Sequence, residues 1–225
     1  MPAVVLPHAG LMTHTIGMLS FPGMTQLDLT APFEVLHRIP GAEVHLLWKE
    51  KVPVSAGPGF TLTPNHTLDE CPPLTVLFVP GGFGQERLQK DDAVLGFLRE
   101  RGKDARWVTS VCTGALLLGA AGLLEGYDAT THWAYTDRLA EYGARYRPGR
   151  VVVDRNRVTA GGVTAGMDFA LTLAAELADE RTARLIQLGL EYDPAPPFDS
   201  GHPDRAEPDL VEQLRQLYFT RSARQ

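Results

Sequence analysis

The sequence predicts an α/β fold in which helices cover both faces of a mainly parallel sheet. Two observations support this prediction: short apolar runs of strand length alternate with segments of helical apolar spacing, and several runs stop at glycine or proline. Strands that alternate with helices usually pair in parallel, and a parallel sheet is covered on both faces. The runs that we interpret as strands are residues 15–21, 42–48, 75–79, 107–111, 151–154 and 158–160.

Helix signals fill the segments between these strands. Thr30 is a candidate N-cap, and Pro32 suits a first helical turn, where its missing N–H costs little. Asp179 is a second candidate N-cap, and the turn residues 57–59 indicate a β-hairpin. The predicted helices are residues 30–39, 91–101, 113–121 and 165–177, one that follows Asp179, and 207–218.

Composition and charge limit the classes of function. The chain has 225 residues, of which 44% are hydrophobic and 21% charged, as is ordinary for a folded globular protein. We expect a single domain over residues 15–225, preceded by an extension over residues 1–14. The net charge of -6 disfavours a nucleic-acid partner, because binding to phosphates needs a basic surface. No apolar run approaches the ~20 residues that span a bilayer, so we expect no membrane partner.

Cysteine and histidine usage indicates the compartment and disfavours a metal. Two cysteines, Cys71 and Cys112, do not make a disulfide scaffold, so we expect a reducing compartment, the cytoplasm. The histidines are scattered, and no histidine or cysteine pair has the spacing of a zinc site. Cys71 precedes two prolines in a loop, and we interpret it as structural.

Residues 192–208 are rich in proline and aspartate and cannot form a regular helix or a central strand. Two interpretations stay open for this segment. It is a surface connector, or it is an arm that wraps a partner subunit or lines the rim of the active site, as long ordered loops often do.

Cys112 stands where an apolar strand runs directly into a helix of small residues. A sharp turn of this kind lifts a nucleophile above the sheet, at the end where open α/β sheets bind ligands. The N-terminus of the following helix favours a thiolate, so we expect the pKa of Cys112 to be lowered. The alternative is that Cys112 is a small buried apolar residue, as free cysteines often are.

Asp28 is the best proton partner for such a cysteine. It follows the first predicted strand and precedes the first predicted helix, so a parallel sheet places it at the same end as Cys112. Its neighbours Leu27 and Leu29 suggest partial desolvation, which raises the pKa of a carboxyl group. The alternative is an ordinary capping aspartate.

Gly81 and Gly82 follow the third strand at the same end of the sheet. Glycine allows backbone N–H groups to approach a reacting centre, so these two and the N–H of Thr113 are candidates for stabilising negative charge; a plain turn is the alternative. His132 is the histidine most easily placed near Cys112, as a site residue or a structural one. Further candidate pocket walls, each equally compatible with a core position, are Phe83, Trp133 and Met167.

Several of these segments together resemble the DJ-1/PfpI superfamily. They are Pro80-Gly81-Gly82, the strand that ends in Cys112-Thr113-Gly114, residues 129–133 and residues 160–171, and the resemblance covers residues 15 to about 190. More narrowly, residues 151–168 and 187–203 are similar to the isonitrile hydratases of that superfamily.

The resemblance implies a flavodoxin-like three-layer sandwich that forms a homodimer and uses no cofactor. It implies that Cys112 is a strained nucleophile faced by Asp28, with Thr113 as a third key residue. Many members carry glutamate at the position of Asp28, and many proteases and deglycase-like members carry histidine at that of Thr113. These departures disfavour peptidase or glyoxalase activity and match the isonitrile hydratases.

The reaction that the resemblance implies is hydration of an isonitrile to an N-substituted formamide through a covalent thioimidate on Cys112. Two alternatives remain. One is a glyoxalase or amide hydrolase of the same superfamily, and the other is a non-enzymatic stress protein in which Cys112 senses redox change.

Overall fold

A seven-stranded sheet forms the centre of the computed structural model, which describes residues 13–222. The sheet order is β10-β11-β7-β6-β1-β2-β5; β10 pairs antiparallel with β11, and the other pairings are parallel. The strands are β1 (His14–Leu19), β2 (Ala42–Trp48), β3 (Val54–Ser55), β4 (Thr61–Leu62), β5 (His66–Thr67), β6 (Val76–Val79), β7 (Trp107–Val111), β8 (Asp128–Ala129), β9 (Arg145–Tyr146), β10 (Val151–Asp154) and β11 (Arg157–Ala160).

Helices pack in two groups around this sheet. In one group α1 packs on α5 and α5 on α6; in the other α3 and α4 pack on each other and on β6. Every residue of β6 and β7 is buried, so both faces of these central strands are covered. The helices are α1 (Gln26–Leu36), α2 (Gln85–Leu88), α3 (Asp92–Asp104), α4 (Gly114–Ala120), α5 (Ala165–Leu177), α6 (Glu180–Gly189) and α7 (Pro208–Ser222), and a 3-10 helix spans Trp133–Tyr142.

The α/β architecture and the mainly parallel sheet confirm the predicted fold class. The predicted helix over residues 165–177 is α5, residue for residue, and the predicted hairpin is β3 with β4. Asp179 caps α6 by accepting a hydrogen bond from the Thr182 N–H at 2.7 Å. The extension predicted over residues 1–14 lies mostly outside the described residues, and β1 already begins at His14. The single-domain division stays a prediction.

The start of the first helix differs from the prediction. Thr25, with extended backbone angles, is the N-cap of α1, so the helix begins at Gln26 rather than at Thr30. Pro32 therefore lies inside the helix instead of in its first turn. Asp28 consequently lies within the first helical turn rather than in the loop before it.

Residues 192–207 form neither helix nor strand, as predicted, and they lead into α7. Most of this segment and of α7 is exposed. Within residues 13–222, the structure contains no helix that is both long and apolar enough to span a bilayer.

Candidate active site

Three loops meet at the carboxyl ends of β1, β6 and β7, where open α/β sheets place their ligands. The first turn of α1 brings Asp28 there, the loop after β6 brings Gly81, and the turn after β7 brings Cys112. The Thr25 N–H donates to the Gly81 carbonyl at 2.9 Å, which ties the start of α1 to the β6 loop. The sheet thus brings together Asp28, Gly81 and Cys112, three of the residues that the sequence predicted.

The backbone of Cys112 adopts a left-handed conformation with φ 56°, which is unfavourable for a residue with a side chain. Hydrogen bonds hold it there. Its N–H donates to the carbonyls of Ala160 and Gly161 at 3.0 and 2.9 Å, and its carbonyl accepts from the Thr131 hydroxyl at 2.8 Å. A Cβ on Gly114 would lie 2.2 Å from the Val79 carbonyl oxygen, so glycine alone lets α4 begin so close to β6.

The carboxyl group of Asp28 is fully buried beside the Cys112 thiol. Oδ2 accepts a hydrogen bond from the Gly81 N–H at 2.9 Å, and Oδ1 has no partner of ordinary hydrogen-bond geometry among the described residues. Burial raises the pKa of Asp28 to about 7, although the Gly81 N–H and the Cys112 thiol act in the opposite direction. Asp28 therefore exchanges a proton near neutral pH, as catalytic carboxyl groups often do.

The expected lowering of the Cys112 pKa is wrong. Burial, reinforced by the negative charge of Asp28, raises the pKa of the thiol well above its usual value. The N–H groups of Thr113 and Val163 favour the thiolate, but they do not outweigh desolvation. The sulfur consequently carries its proton at neutral pH. The neighbouring group that binds and releases a proton in this pH range is Asp28.

Gly81 and Gly82 shape the site, but their N–H groups are already engaged. The Gly81 N–H donates to Asp28, and the Gly82 N–H donates to the Thr113 hydroxyl at 3.0 Å, so neither is open to a substrate as the sequence suggested. A Cβ on Gly81 would lie 2.5 Å from the Thr113 nitrogen and 2.8 Å from Asp28 Oδ2. The N–H groups that do face the sulfur are those of Thr113 and Val163.

A cavity of about 70 Å³ opens beside Cys112. Of the predicted walls, Phe83 and His132 line it, whereas Trp133 and Met167 do not. Trp133 instead lines a neighbouring groove against α7, and Met167 packs against the hydrophobic core. The other lining residues are Thr25, Gly82, Gln85, Thr113, Tyr135, Val163 and Tyr218.

His132 is a neutral wall of this cavity rather than a base. Its Nδ1 accepts a hydrogen bond from the Ala134 N–H at 3.2 Å. Burial lowers the pKa of His132 to about 4, so the imidazole is uncharged at neutral pH and binds protons weakly.

Within residues 13–222, histidine, cysteine and carboxylate side chains form no cluster of three that could hold a metal ion.

Sequence reasoning missed five residues that line the cavity, namely Thr25, Gln85, Tyr135, Val163 and Tyr218. Val163 has an unusual backbone with φ 30°, which no sequence pattern indicates. Tyr218 belongs to the helix predicted over residues 207–218, but periodicity does not reveal that α7 returns to the cavity.

Residues 14–176 match the DJ-1/PfpI family. This span is well over half of the chain and contains Asp28, Gly81 and Cys112. The chain belongs to the DJ-1/PfpI family. The match confirms the resemblance noted in the sequence.

Relatives within the DJ-1/PfpI family include an enzyme and a regulator. The isonitrile hydratase of Pseudomonas putida is 54% identical over 204 residues, which cover 91% of this chain and 90% of that protein. The HTH-type transcriptional regulator GbdR of Pseudomonas aeruginosa is 32% identical over 71% of this chain but only 45% of the regulator. The hydratase is thus similar along nearly its whole length, and the regulator along less than half.

Solved DJ-1/PfpI structures share the fold. A THiJ/PfpI family protein from Pseudomonas syringae superposes with a TM-score of 0.92 at 41% identity, covering 99% of this chain and 97% of the other. Drosophila melanogaster DJ-1beta superposes with a TM-score of 0.74 at 22% identity, over 80% of this chain and 98% of the other, which shows the common fold alone.

Proposed function

We propose that this protein is an enzyme that hydrates isonitriles to N-substituted formamides. The observation that carries the proposal is the buried pair of Asp28 and Cys112, flanked by Thr113, in a chain 54% identical over 91% of its length to an isonitrile hydratase. The pair supplies what the reaction needs, a nucleophile and a group that exchanges a proton near neutral pH.

The first step joins the substrate to the enzyme. The Cys112 sulfur adds to the terminal carbon of the isonitrile while its proton passes to the Asp28 carboxylate, and Asp28 delivers that proton to the same carbon. One S–C bond and one C–H bond form, the S–H bond breaks, and the product is a neutral thioimidate. The N–H groups of Thr113 and Val163 stabilise negative charge on the sulfur as its proton leaves.

The second step releases the product with water. A water molecule attacks the thioimidate carbon as Asp28 accepts one of its protons, and the C–S bond then breaks. One water proton ends on the substrate nitrogen and the other on the Cys112 sulfur, which leaves formamide and the starting enzyme. In the proposal Thr113, whose hydroxyl is held by the Gly82 N–H, orients the carboxyl group or the water.

The alternatives have less support from the site. A glyoxalase or amide hydrolase of the type with histidine after the cysteine lacks that base here, since Thr113 occupies the position and His132 is a weak base. A redox sensor needs an accessible thiolate, whereas Cys112 is 5% exposed and the pKa of its thiol is raised.

A steady-state assay separates these functions. Purified protein is supplied with methyl isocyanide, cyclohexyl isocyanide or methylglyoxal, and formation of formamide or loss of the aldehyde is followed. The proposal requires formamide from an isonitrile and none from the Cys112→Ala variant. Turnover of methylglyoxal alone, or peroxide sensitivity with no isonitrile turnover, contradicts it.

The wider setting is part of the same proposal. The protein acts in the cytoplasm as a homodimer on a small molecule, without nucleic acid, membrane or cofactor. Both cysteines are free, which fits a reducing compartment. Large apolar side chains exposed on the single chain, such as Leu188 and Phe198, support association with a second copy.

A further inference from the structure

The C-terminal helix α7 contributes a wall of the cavity through one side chain. Of residues 212–220, Tyr218 alone is not exposed, although its neighbours Leu217 and Phe219 are apolar and 60% and 53% exposed. The Tyr218 ring instead lies in the cavity that contains Cys112. The placement of α7 against the site therefore involves Tyr218 in particular.

Tyr218 spans the gap between two walls that belong to different parts of the chain. Its ring centroid lies 5.7 Å from that of Phe83, which follows β6. It lies 5.1 Å from that of His132 and 6.3 Å from that of Tyr135, at the start of the 3-10 helix. These distances are typical of packed aromatic pairs. Tyr218 thus closes the cavity by bridging the β6 loop and the 3-10 helix.

The cavity has a polar end and an apolar end. Asp28 and the N–H groups of Thr113 and Val163 surround the Cys112 sulfur. Most of the remaining wall is aromatic, from Phe83, His132, Tyr135 and Tyr218, and Thr25 and Gln85 also line it. An isonitrile is linear, so a molecule whose terminal carbon meets the sulfur directs its nitrogen substituent away from the polar groups and towards the rings. The volume of about 70 Å³ is small beside the roughly 300–1,000 Å³ of pockets that bind drug-sized ligands.

We infer that Tyr218 sets the upper size of the isonitrile substituent, so that the preferred substrates carry compact apolar groups. This inference rests on the proposed function for the identity of the substrate. The position of Tyr218 in the wall of the cavity that Cys112 lines does not depend on that function. Tyr218 acts by excluding bulk and not by taking part in the reaction.

Substitution of Tyr218 tests the inference through substrate preference. For Tyr218→Ala, we expect the ratio of kcat/KM for cyclohexyl isocyanide to that for methyl isocyanide to rise about tenfold or more, the scale of discrimination in hydrophobic pockets. Tyr218→Phe keeps the ring and the wild-type ratio, and Tyr218→Trp lowers the ratio. Phe219→Ala, which removes an exposed ring from the same helix, is the matched control and keeps the ratio.

Alkylation of Cys112 provides a readout that does not depend on isonitrile turnover. The sulfur displaces iodide from iodoacetamide or adds across the double bond of the bulkier N-phenylmaleimide, and Cys112→Ala gives the background from Cys71. In Tyr218→Ala the rate with N-phenylmaleimide should rise about tenfold relative to iodoacetamide, and in Phe219→Ala it should not.

The outcomes separate the two claims. If the wild type hydrates no isonitrile but Tyr218→Ala still changes the alkylation ratio, the proposed function fails and the role of Tyr218 in closing the cavity stands. If a folded Tyr218→Ala changes neither ratio, the inference about Tyr218 is wrong while the proposed function remains. Should Tyr218→Ala not fold, an unchanged substrate ratio in Tyr218→Trp overturns the inference.

Discussion

The surroundings of Asp28 oppose a negative charge on its carboxyl group. Its carboxyl group is fully buried, with one oxygen bonded to the Gly81 N–H and the other without a partner of ordinary hydrogen-bond geometry among residues 13–222. A buried carboxylate of this kind destabilises the folded protein, and such costs are typical of groups retained for catalysis. A substitution that removes the charge of Asp28 should therefore raise the stability of the protein and lower its activity.

The Asp28→Asn variant should be more stable than the wild type at pH 8 but similar at pH 4. Burial raises the carboxyl pKa from 3.8 to about 7, so the folded wild type binds its proton more tightly and loses stability as the pH rises between these values. The full effect above pH 7 is up to about 4 kcal/mol, at roughly 1.4 kcal/mol per pH unit. Urea unfolding at the two pH values measures it; an equal effect at both would contradict the raised pKa.

The same substitution should nearly abolish turnover. An amide cannot accept the Cys112 proton, and loss of general acid–base catalysis lowers kcat by about 10²–10⁴. In the wild type, kcat/KM should rise with pH through an apparent pKa of about 7, as Asp28 becomes a carboxylate able to accept the thiol proton. A pH–rate profile that is flat from pH 5 to 8, or near-full activity in Asp28→Asn, would exclude this role.

Two variants of Thr113 separate the effect of its hydroxyl group from the effect of its side-chain shape. Thr113→Val removes the acceptor of the Gly82 N–H, so a buried donor loses its partner at about 1–3 kcal/mol of stability. The resulting shift of the site should lower kcat by about 10²-fold, whereas Thr113→Ser retains the hydroxyl and most of the rate. Thermal unfolding and initial rates on methyl isocyanide test both effects; equal rates for the two variants would refute the role of the hydroxyl.

At this scale the sequence predicted which residues meet but not how their protons are distributed. Cys112 and Asp28 could be predicted because a parallel sheet brings the ends of its strands to one edge. The raised pKa of Cys112 could not, since desolvation depends on packing by residues distant in sequence, such as Val163. The engagement of the Gly82 N–H by Thr113 also needed coordinates.

Among the structural elements, the turns after β6 and β7 leave little room for added atoms. Gly81→Ala would place a Cβ within 2.8 Å of Asp28 Oδ2 and closer still to Thr113, so we expect activity to fall by about 10²-fold or more. Gly96, inside α3, has open space where a Cβ would stand, and Gly96→Ala should stabilise the protein by up to about 1 kcal/mol with unchanged activity.

Initial rates and urea unfolding of both glycine variants check this contrast. Because both variants add the same methyl group, any difference in their activity comes from where the group is placed. A fully active Gly81→Ala would show that the contact between the β6 loop and Asp28 is looser than the structure has it.

Helix boundaries explain where sequence reasoning failed at this scale. Thr30 and Thr25 both suit an N-cap, and the hydrogen bond from the Thr25 N–H to the Gly81 carbonyl accompanies the earlier start. That contact is long-range and invisible to local patterns. By contrast, α5 was predicted residue for residue, because the regular spacing of its apolar residues marks both where the helix begins and where it ends.

For the whole molecule, alternation of strands and helices was enough to predict the layered α/β architecture. The order of the strands was not predicted, since neighbours in the sheet such as β1 and β6 are far apart in the sequence. The position of α7 at the site likewise depends on the long connection before it, which carries no regular pattern.

The assembly state is testable at the same scale. We expect the protein in solution to have twice the 24.6 kDa mass of the chain, because apolar side chains such as Leu188 and Phe198 are 77% and 78% exposed on one copy. Sedimentation equilibrium at micromolar concentration measures the mass. A mass equal to one chain would contradict the homodimer.

The central claim is that the Cys112 sulfur forms a covalent bond with the isonitrile carbon. Intact-protein mass spectrometry after rapid acid quench tests this claim most directly. During turnover of methyl isocyanide, the wild type should gain the mass of one substrate molecule, located on the peptide that contains Cys112, and Cys112→Ala should gain none. Turnover that persists in Cys112→Ala, or an adduct that maps to another residue, would contradict the account.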